Sequence, residues 1–218
     1  MKLSHSLLSL TIAAATLAPA AVAQSGSQCL YTINPFASNN GGSPGGAVYF
    51  DVTISSAIVV TDLIMNYGIA AGSTVGVDMY VTPGTSVGNE ANAALWNLVA
   101  SGTGTSAGDD NPTICTLAAP YVMTPGNYGV TLVATGGADH EYTNGNGTNQ
   151  QFSDSFLTIN LGGASNTPFA TPTFSPRIWN GAICYNPGSG LFPNFSATPT
   201  TGTSPLTVQF TDTTYTSD

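Results

Sequence analysis

Positive charge is almost missing from this sequence. Its 218 residues carry only two Lys or Arg side chains, Lys2 and Arg177, against eleven carboxylates, for a formal net charge of −9. Nucleic-acid binding needs cations that displace counterions from phosphate, and anionic lipid surfaces make the same demand. Neither is therefore an expected partner. Charged residues of both signs make up 6% of the chain, against about 25% in ordinary globular domains, so Asn, Thr, Ser and Gly must supply solubility. Long apolar runs are also lacking beyond the first residues. The best one, "AIVVTDLIM", is broken by Asp62 and falls well short of the roughly 20 residues that span a bilayer, so no membrane insertion is expected. Neither of the two histidines and none of the three cysteines has a partner at zinc-ligand spacing.

What is present points outward from the cell. Lys2 forms a short positive region, Leu7 to Leu17 is apolar, and Ala21-Val22-Ala23 is a small-x-small cleavage site. Residues 1–23 thus read as a signal peptide, and the mature chain starts at Gln24. Removing Lys2 takes the formal charge from −9 to −10 and leaves Arg177 as the sole cation. In an exported chain, three cysteines permit one disulfide and leave one thiol. Cys29 and Cys184 lie near the two ends of the main domain and are the expected pair, with Cys115 a buried thiol. A hydrophobic fraction of 42%, with nine Tyr and nine Phe, is too high for disorder and implies a real core.

Between Tyr31 and Tyr185, short apolar runs rich in β-branched and aromatic residues alternate with Gly, Pro, Asn and Ser clusters. "AVYFDVTI" (Ala47–Ile54), "IVVTDLIMNY" (Ile58–Tyr67) and "TVGVDMYVTP" (Thr74–Pro83) predict strands, and period-2 alternation places Val75, Val77, Met79 and Val81 on one face. "GNEANAALWNLVA" (Gly88–Ala100) alone has helix-like composition; at most one turn is expected, with its Trp96–Val99 end reading equally well as strand. About eight or nine strands at this spacing imply an all-β fold, an antiparallel β-sandwich of jelly-roll or immunoglobulin-like topology over residues 24–188.

Past "NPGSG" the composition changes. "FSATPTTGTSPLTVQFTDT", within Pro193–Asp218, resembles the opening of a PKD domain, an immunoglobulin-like module of extracellular proteins. The resemblance implies that residues 189–218 are a linker and an incomplete PKD domain, and that further domains follow Asp218. "VGNEANAALWNLVASGTGTSAG", "EYTNGNGTNQQFSD" and "FSPRIWNGAICY" resemble an uncharacterised β-sandwich module of large secreted bacterial proteins, often found beside PKD domains. That likeness implies architecture and location and carries no activity with it.

Catalytic motifs are weak. The G-x-S-x-G pattern occurs three times, at "GGSPG", "GTSVG" and "GTSAG", always in Gly-rich loops without the strand-to-helix turn that a nucleophile elbow requires. Asp109, Asp110 and His140 follow the last, in the Ser–Asp–His order of a hydrolase triad. The polar loop Gly136–Asp154 offers hard oxygen ligands in Asp139, Glu141, Asn144, Asn146 and Asp154, a candidate calcium set. "TNGNGTN" reads equally well as an Asn-Gly turn. No other cofactor is expected. For a glycan, Tyr142 and Phe152 are the candidate stacking rings, while Trp96 and Trp179 read as core.

In "FSPRIWNGAICYN" (Phe174–Asn186), alternation predicts one last strand. Arg177, Trp179, Ile183 and Tyr185 would share one face, and Ile178, Ala182 and Cys184 the other. A lone arginine there is expected to form a structural ion pair with Asp51, Asp62 or Asp78, since leaving it buried and unpaired costs several kcal/mol. The expected function is a non-catalytic extracellular module for adhesion, matrix attachment or domain presentation, with polysaccharide or extracellular matrix as partner. The alternative is a carbohydrate-binding module appended to a secreted hydrolase whose catalytic domain lies outside this chain.

Overall fold

Strand-forming composition is realised almost everywhere it occurs. The computed structural model describes residues 27–188, 190–192, 195–198, 207–212 and 215–217. The signal peptide expected over residues 1–23 lies outside the described residues. The strands are β1 (Gln28–Tyr31), β2 (Asn40–Gly41), β3 (Ala47–Ile54), β4 (Ile58–Met65), β5 (Thr74–Pro83), β6 (Asn97–Thr105) and β7 (Thr113–Met123). They continue with β8 (Gly126–Thr135), β9 (Glu141–Asn144), β10 (Gln151–Ser153), β11 (Leu157–Ser165), β12 (Arg177–Trp179) and β13 (Gly181–Pro187). Among the described residues one 3-10 turn, Ala93–Leu95, occurs, within the stretch Gly88–Ala100 of helix-like composition. Beyond Gly188, β14 (Gly190–Phe192) pairs with β17 (Tyr215–Ser217), and β15 (Phe195–Thr198) pairs with β16 (Gln209–Asp212).

Ten strands form one antiparallel sheet in the order β1-β13-β4-β7-β6-β5-β8-β3-β11-β10. The ladder between β6 and β7 is only two residue pairs long, Gly102↔Leu117 and Thr103↔Thr116. There the sheet folds over into two layers, β1-β13-β4-β7 against β6-β5-β8-β3-β11-β10. Gly104 permits the close approach: a Cβ at that position would lie 2.1 Å from the Ile114 carbonyl oxygen. One apolar cluster fills the space between the layers. It joins Ile58, Leu63, Met65, Cys115 and Ile183 from the first to Phe50, Val77, Met79, Leu132 and Ile159 from the second. Val75, Val77, Met79 and Val81 are buried together, as their alternation predicts. The two ends of the sheet also approach one another, because Tyr185 on β13 donates to Asp154 at the β10–β11 turn at 2.5 Å.

Cys29 and Cys184 are directly opposite in the β1–β13 ladder and are joined in a disulfide. Cys115 is a free, buried thiol that lies 3.7 Å from the Tyr67 hydroxyl, and burial raises its pKa.

The run Phe174–Asn186 departs from the single strand expected of it. It is split at Asn180 into β12, in a small sheet ordered β12-β9-β2, and β13, in the large one. The backbone turns so sharply that a Cβ on Gly181 would lie 2.1 Å from the Trp179 indole. Thr32 holds the turn, its hydroxyl hydrogen-bonding with the Trp179 carbonyl and the Gly181 backbone. Alternation along the sequence cannot register such a break, because the apolar pattern resumes in phase on the far side. Trp179 stacks on Phe50 at 5.3 Å and nearly parallel planes, which fixes the small sheet against the core.

Candidate functional site

The small sheet carries the candidate site. Antiparallel register sets Arg177 opposite Asn144, Trp179 opposite Tyr142, and Asn40 opposite Tyr142. Since alternate residues share a face, Arg177, Asn144, Tyr142 and Asn40 lie on one side of the sheet and Glu141 and Thr143 on the other. On the first side is a cavity of about 160 Å3 lined by Asn40, Gly41, Tyr142, Asn166, Phe174 and Arg177.

Within it, Arg177 forms no ion pair among the described residues, contrary to the expected pairing with Asp51, Asp62 or Asp78. Those carboxylates are taken by hydroxyl and amide donors. Asp51 accepts from Thr85 and Ser86, Asp62 from Thr116, and Asp78 from Ser101. These strand-borne pairs lie within or beside the large sheet, whereas Arg177 belongs to the small one. Its guanidinium is held by neutral groups instead. Nη1 donates to the Pro176 carbonyl at 2.9 Å, and the cation lies 5.7 Å from the Tyr142 ring centroid and 5.9 Å from that of Phe174. Such contacts orient a cation without neutralising it. Nε is buried and has no acceptor. The amides around it are half used: Asn40 donates through Nδ2 to Asn144, and Asn166 accepts at Oδ1 from the Ser43 backbone. Asn40 Oδ1 and Asn166 Nδ2 therefore remain as an acceptor and a donor at the cavity.

The candidate glycan rings are not exposed platforms. Tyr142 is buried, its hydroxyl donating to the Gly41 carbonyl at 3.1 Å, and serves as a wall under the guanidinium. Phe152 is half-buried against the main core, opposite Ile159 in the β10–β11 ladder. Trp179 is core, as its sequence context predicts. Trp96 is buried on the outer face of the sheet against Tyr49 and Phe169.

The five candidate calcium ligands are dispersed. What reads as one long polar loop contains β9 and β10, and strand alternation turns its oxygens in different directions. Asn144 accepts from Asn40, Asn146 accepts from Thr148 within its own turn, and Asp154 caps the β10–β11 turn through the Phe156 and Leu157 amides. Only Asp139 and Glu141 stay together: both carboxylates come within about 3 Å of where a Cβ on Gly68 would stand. Asp109 and Asp110 join them from the β6–β7 connection, where Asp110 accepts from the Ser38 amide and from Asn66. Burial first, and then Asp139, Asp109 and Asp110, push Glu141 up to about 7. Among the described residues, no group of three or more His, Cys, Asp or Glu has the geometry to hold a metal ion. The contribution of Asp109 and Asp110 was not visible in the local spacing, because they lie about 30 residues before Glu141.

Ser106, from the third G-x-S-x-G, donates to the Ile69 carbonyl at 3.0 Å. His140 is fully buried beside Tyr67, and burial pushes it down to about 4. The two do not hydrogen-bond and form no nucleophile–base pair. No helix among the described residues is long and apolar enough to cross a membrane. No protein-family model matches the sequence, and none of the curated proteins is significantly similar to it.

Proposed function

We propose that this chain is a non-catalytic extracellular module that attaches to polysaccharide through the pocket around Arg177, as one part of a larger secreted protein. The observation that carries the reading is an arginine that has no counter-ion among the described residues, in a chain with eleven carboxylates, set between two aromatic rings and two amides. Buried or half-buried cations are normally paired, since an uncompensated charge costs several kcal/mol. A site that retains one is prepared for a group that arrives from outside. At about 160 Å3 the cavity is smaller than the roughly 300–1,000 Å3 that encloses a drug-sized ligand. It suits one group of a longer chain lying across the surface. Export is supported by the Cys29–Cys184 disulfide, which persists in oxidising compartments, and by the signal-like first 23 residues. The PKD-like segment from Pro193 supports a multidomain setting.

The test is retention of the full chain on a panel of immobilised plant, algal and bacterial polysaccharides. Retention that soluble polysaccharide competes away is expected. Absence of retention across the whole panel would leave pure scaffolding, the presentation of neighbouring domains, as the function.

A further inference from the structure

Resting on that reading, we infer that the Arg177 pocket selects a carboxylate-bearing sugar, a uronate residue of an acidic polysaccharide, over a neutral one. The inference follows from the donors and acceptors the pocket leaves open. A guanidinium has five N–H donors in a planar fork and no acceptor. Here one donor is spent on the Pro176 carbonyl, and the remaining nitrogens have no partner among the described residues. A planar carboxylate matches such a fork in both charge and shape, with two parallel, charge-assisted hydrogen bonds. A neutral hydroxyl meets neither requirement and would leave the charge uncompensated.

The neighbouring amides argue for a sugar acid over a bare carboxylate. Asn40 retains an acceptor and Asn166 a donor at the same cavity, and Asn166 is exposed at its rim. A ligand that brings a carboxylate together with hydroxyls uses all three. Phe174, half-buried and beside the guanidinium, offers an apolar surface for the C–H side of a pyranose. The acidic group of Glu141 and Asp139 lies across the small sheet, since Glu141 points to the opposite face from Arg177. General repulsion between a chain of net charge −9 and a polyanion is screened beyond about 8 Å at physiological ionic strength, so the local contact decides.

The test uses the full chain on immobilised polygalacturonate and on the same polymer fully methyl-esterified, with xylan freed of its glucuronate branches as a neutral control. All are run with EDTA, so that calcium cannot bridge two polyanions. The expected result is at least tenfold weaker retention on the methyl ester than on the free acid. Arg177→Gln should abolish the difference. Asn166→Ala, at an exposed position, should weaken acid binding several-fold with an unchanged melting temperature. Equal retention on acid and ester, or on xylan alone, would overturn the uronate assignment while leaving polysaccharide attachment standing. No retention on any polymer would remove both. Capture by a peptide with a free C-terminal carboxylate but not by its amide, without polygalacturonate binding, would transfer the pocket to a protein partner and overturn the inference.

Discussion

Removing the Cys29–Cys184 disulfide should cost far more than the local contacts at that site suggest. The bond sits in the ladder between β1 and β13 and spans 155 residues of sequence. In the chain-entropy model, a loop of that length restrains the unfolded chain by about 17 cal/mol/K, or about 5 kcal/mol at 25 °C. The competing local effect is the detachment of β1, a four-residue edge strand. Its apolar contacts are the half-buried Leu30 and Tyr31, together worth about 2–3 kcal/mol. The entropic contribution therefore dominates. A domain of this size shifts by about 2–4 °C per kcal/mol, so Cys29→Ser/Cys184→Ser should melt about 10–20 °C below the oxidised chain, and reduction of the native chain should reproduce the shift. Paired urea titrations should also show a larger m-value for the variant, since its unfolded state is less compact. A shift below about 5 °C would mean that β1 merely frays and that loop closure contributes little, which would refute the reasoning.

Glu141→Gln should change the dependence of stability on pH. Because the folded-state value of Glu141 is raised from 4.5 to about 7, the protonated form is favoured in the folded chain, and that stability is present at low pH and lost as pH rises through about 7. The Gln variant has no proton to lose, so it should gain on the native chain between pH 5 and pH 8. Solvent screening of this partly exposed group limits the gain to about 1 kcal/mol; a constant gap across that range in urea melts would contradict it. Trp179→Ala removes a ring that is 1% exposed and stacked on Phe50, and should lower stability by about 3–5 kcal/mol. A loss under 1 kcal/mol, read by chemical denaturation, would mean that the small sheet is not fixed to the core through this stack. Millimolar calcium should leave the melting temperature unchanged, because Asn144, Asn146 and Asp154 are each engaged elsewhere. A rise of several degrees would show that the carboxylates around Glu141 gather an ion.

The strand content was legible because it is local. β3 and β5 coincide with "AVYFDVTI" and "TVGVDMYVTP" residue for residue, since β-branched composition and period-2 burial act within a single strand. The Cys29–Cys184 disulfide was expected from the places of the two cysteines near the ends of the main domain, and the β1–β13 register that sets them opposite one another decided it. The environment of Arg177 was not accessible. Sequence alternation assigned it to a strand among many carboxylates, and pairing was the economical expectation. Two non-local facts reversed that. The turn at Asn180 and Gly181 moves Arg177 out of the large sheet, and the register of β12 with β9 sets it over Tyr142. In the same way, Glu141 gained Asp109 and Asp110 only when the β6–β7 connection folded against β9.

Sequence alone therefore determined the composition, the all-β class and the scarcity of cations, all of which follow from residue identity and near-neighbour pattern. Tertiary structure alone decided which carboxylates were occupied and by what. It also decided that the one arginine of the folded domain should lie in a pocket that offers it no counter-ion among the described residues. Electrostatic pairing depends on distances between residues far apart in the chain, and no local periodicity encodes those distances.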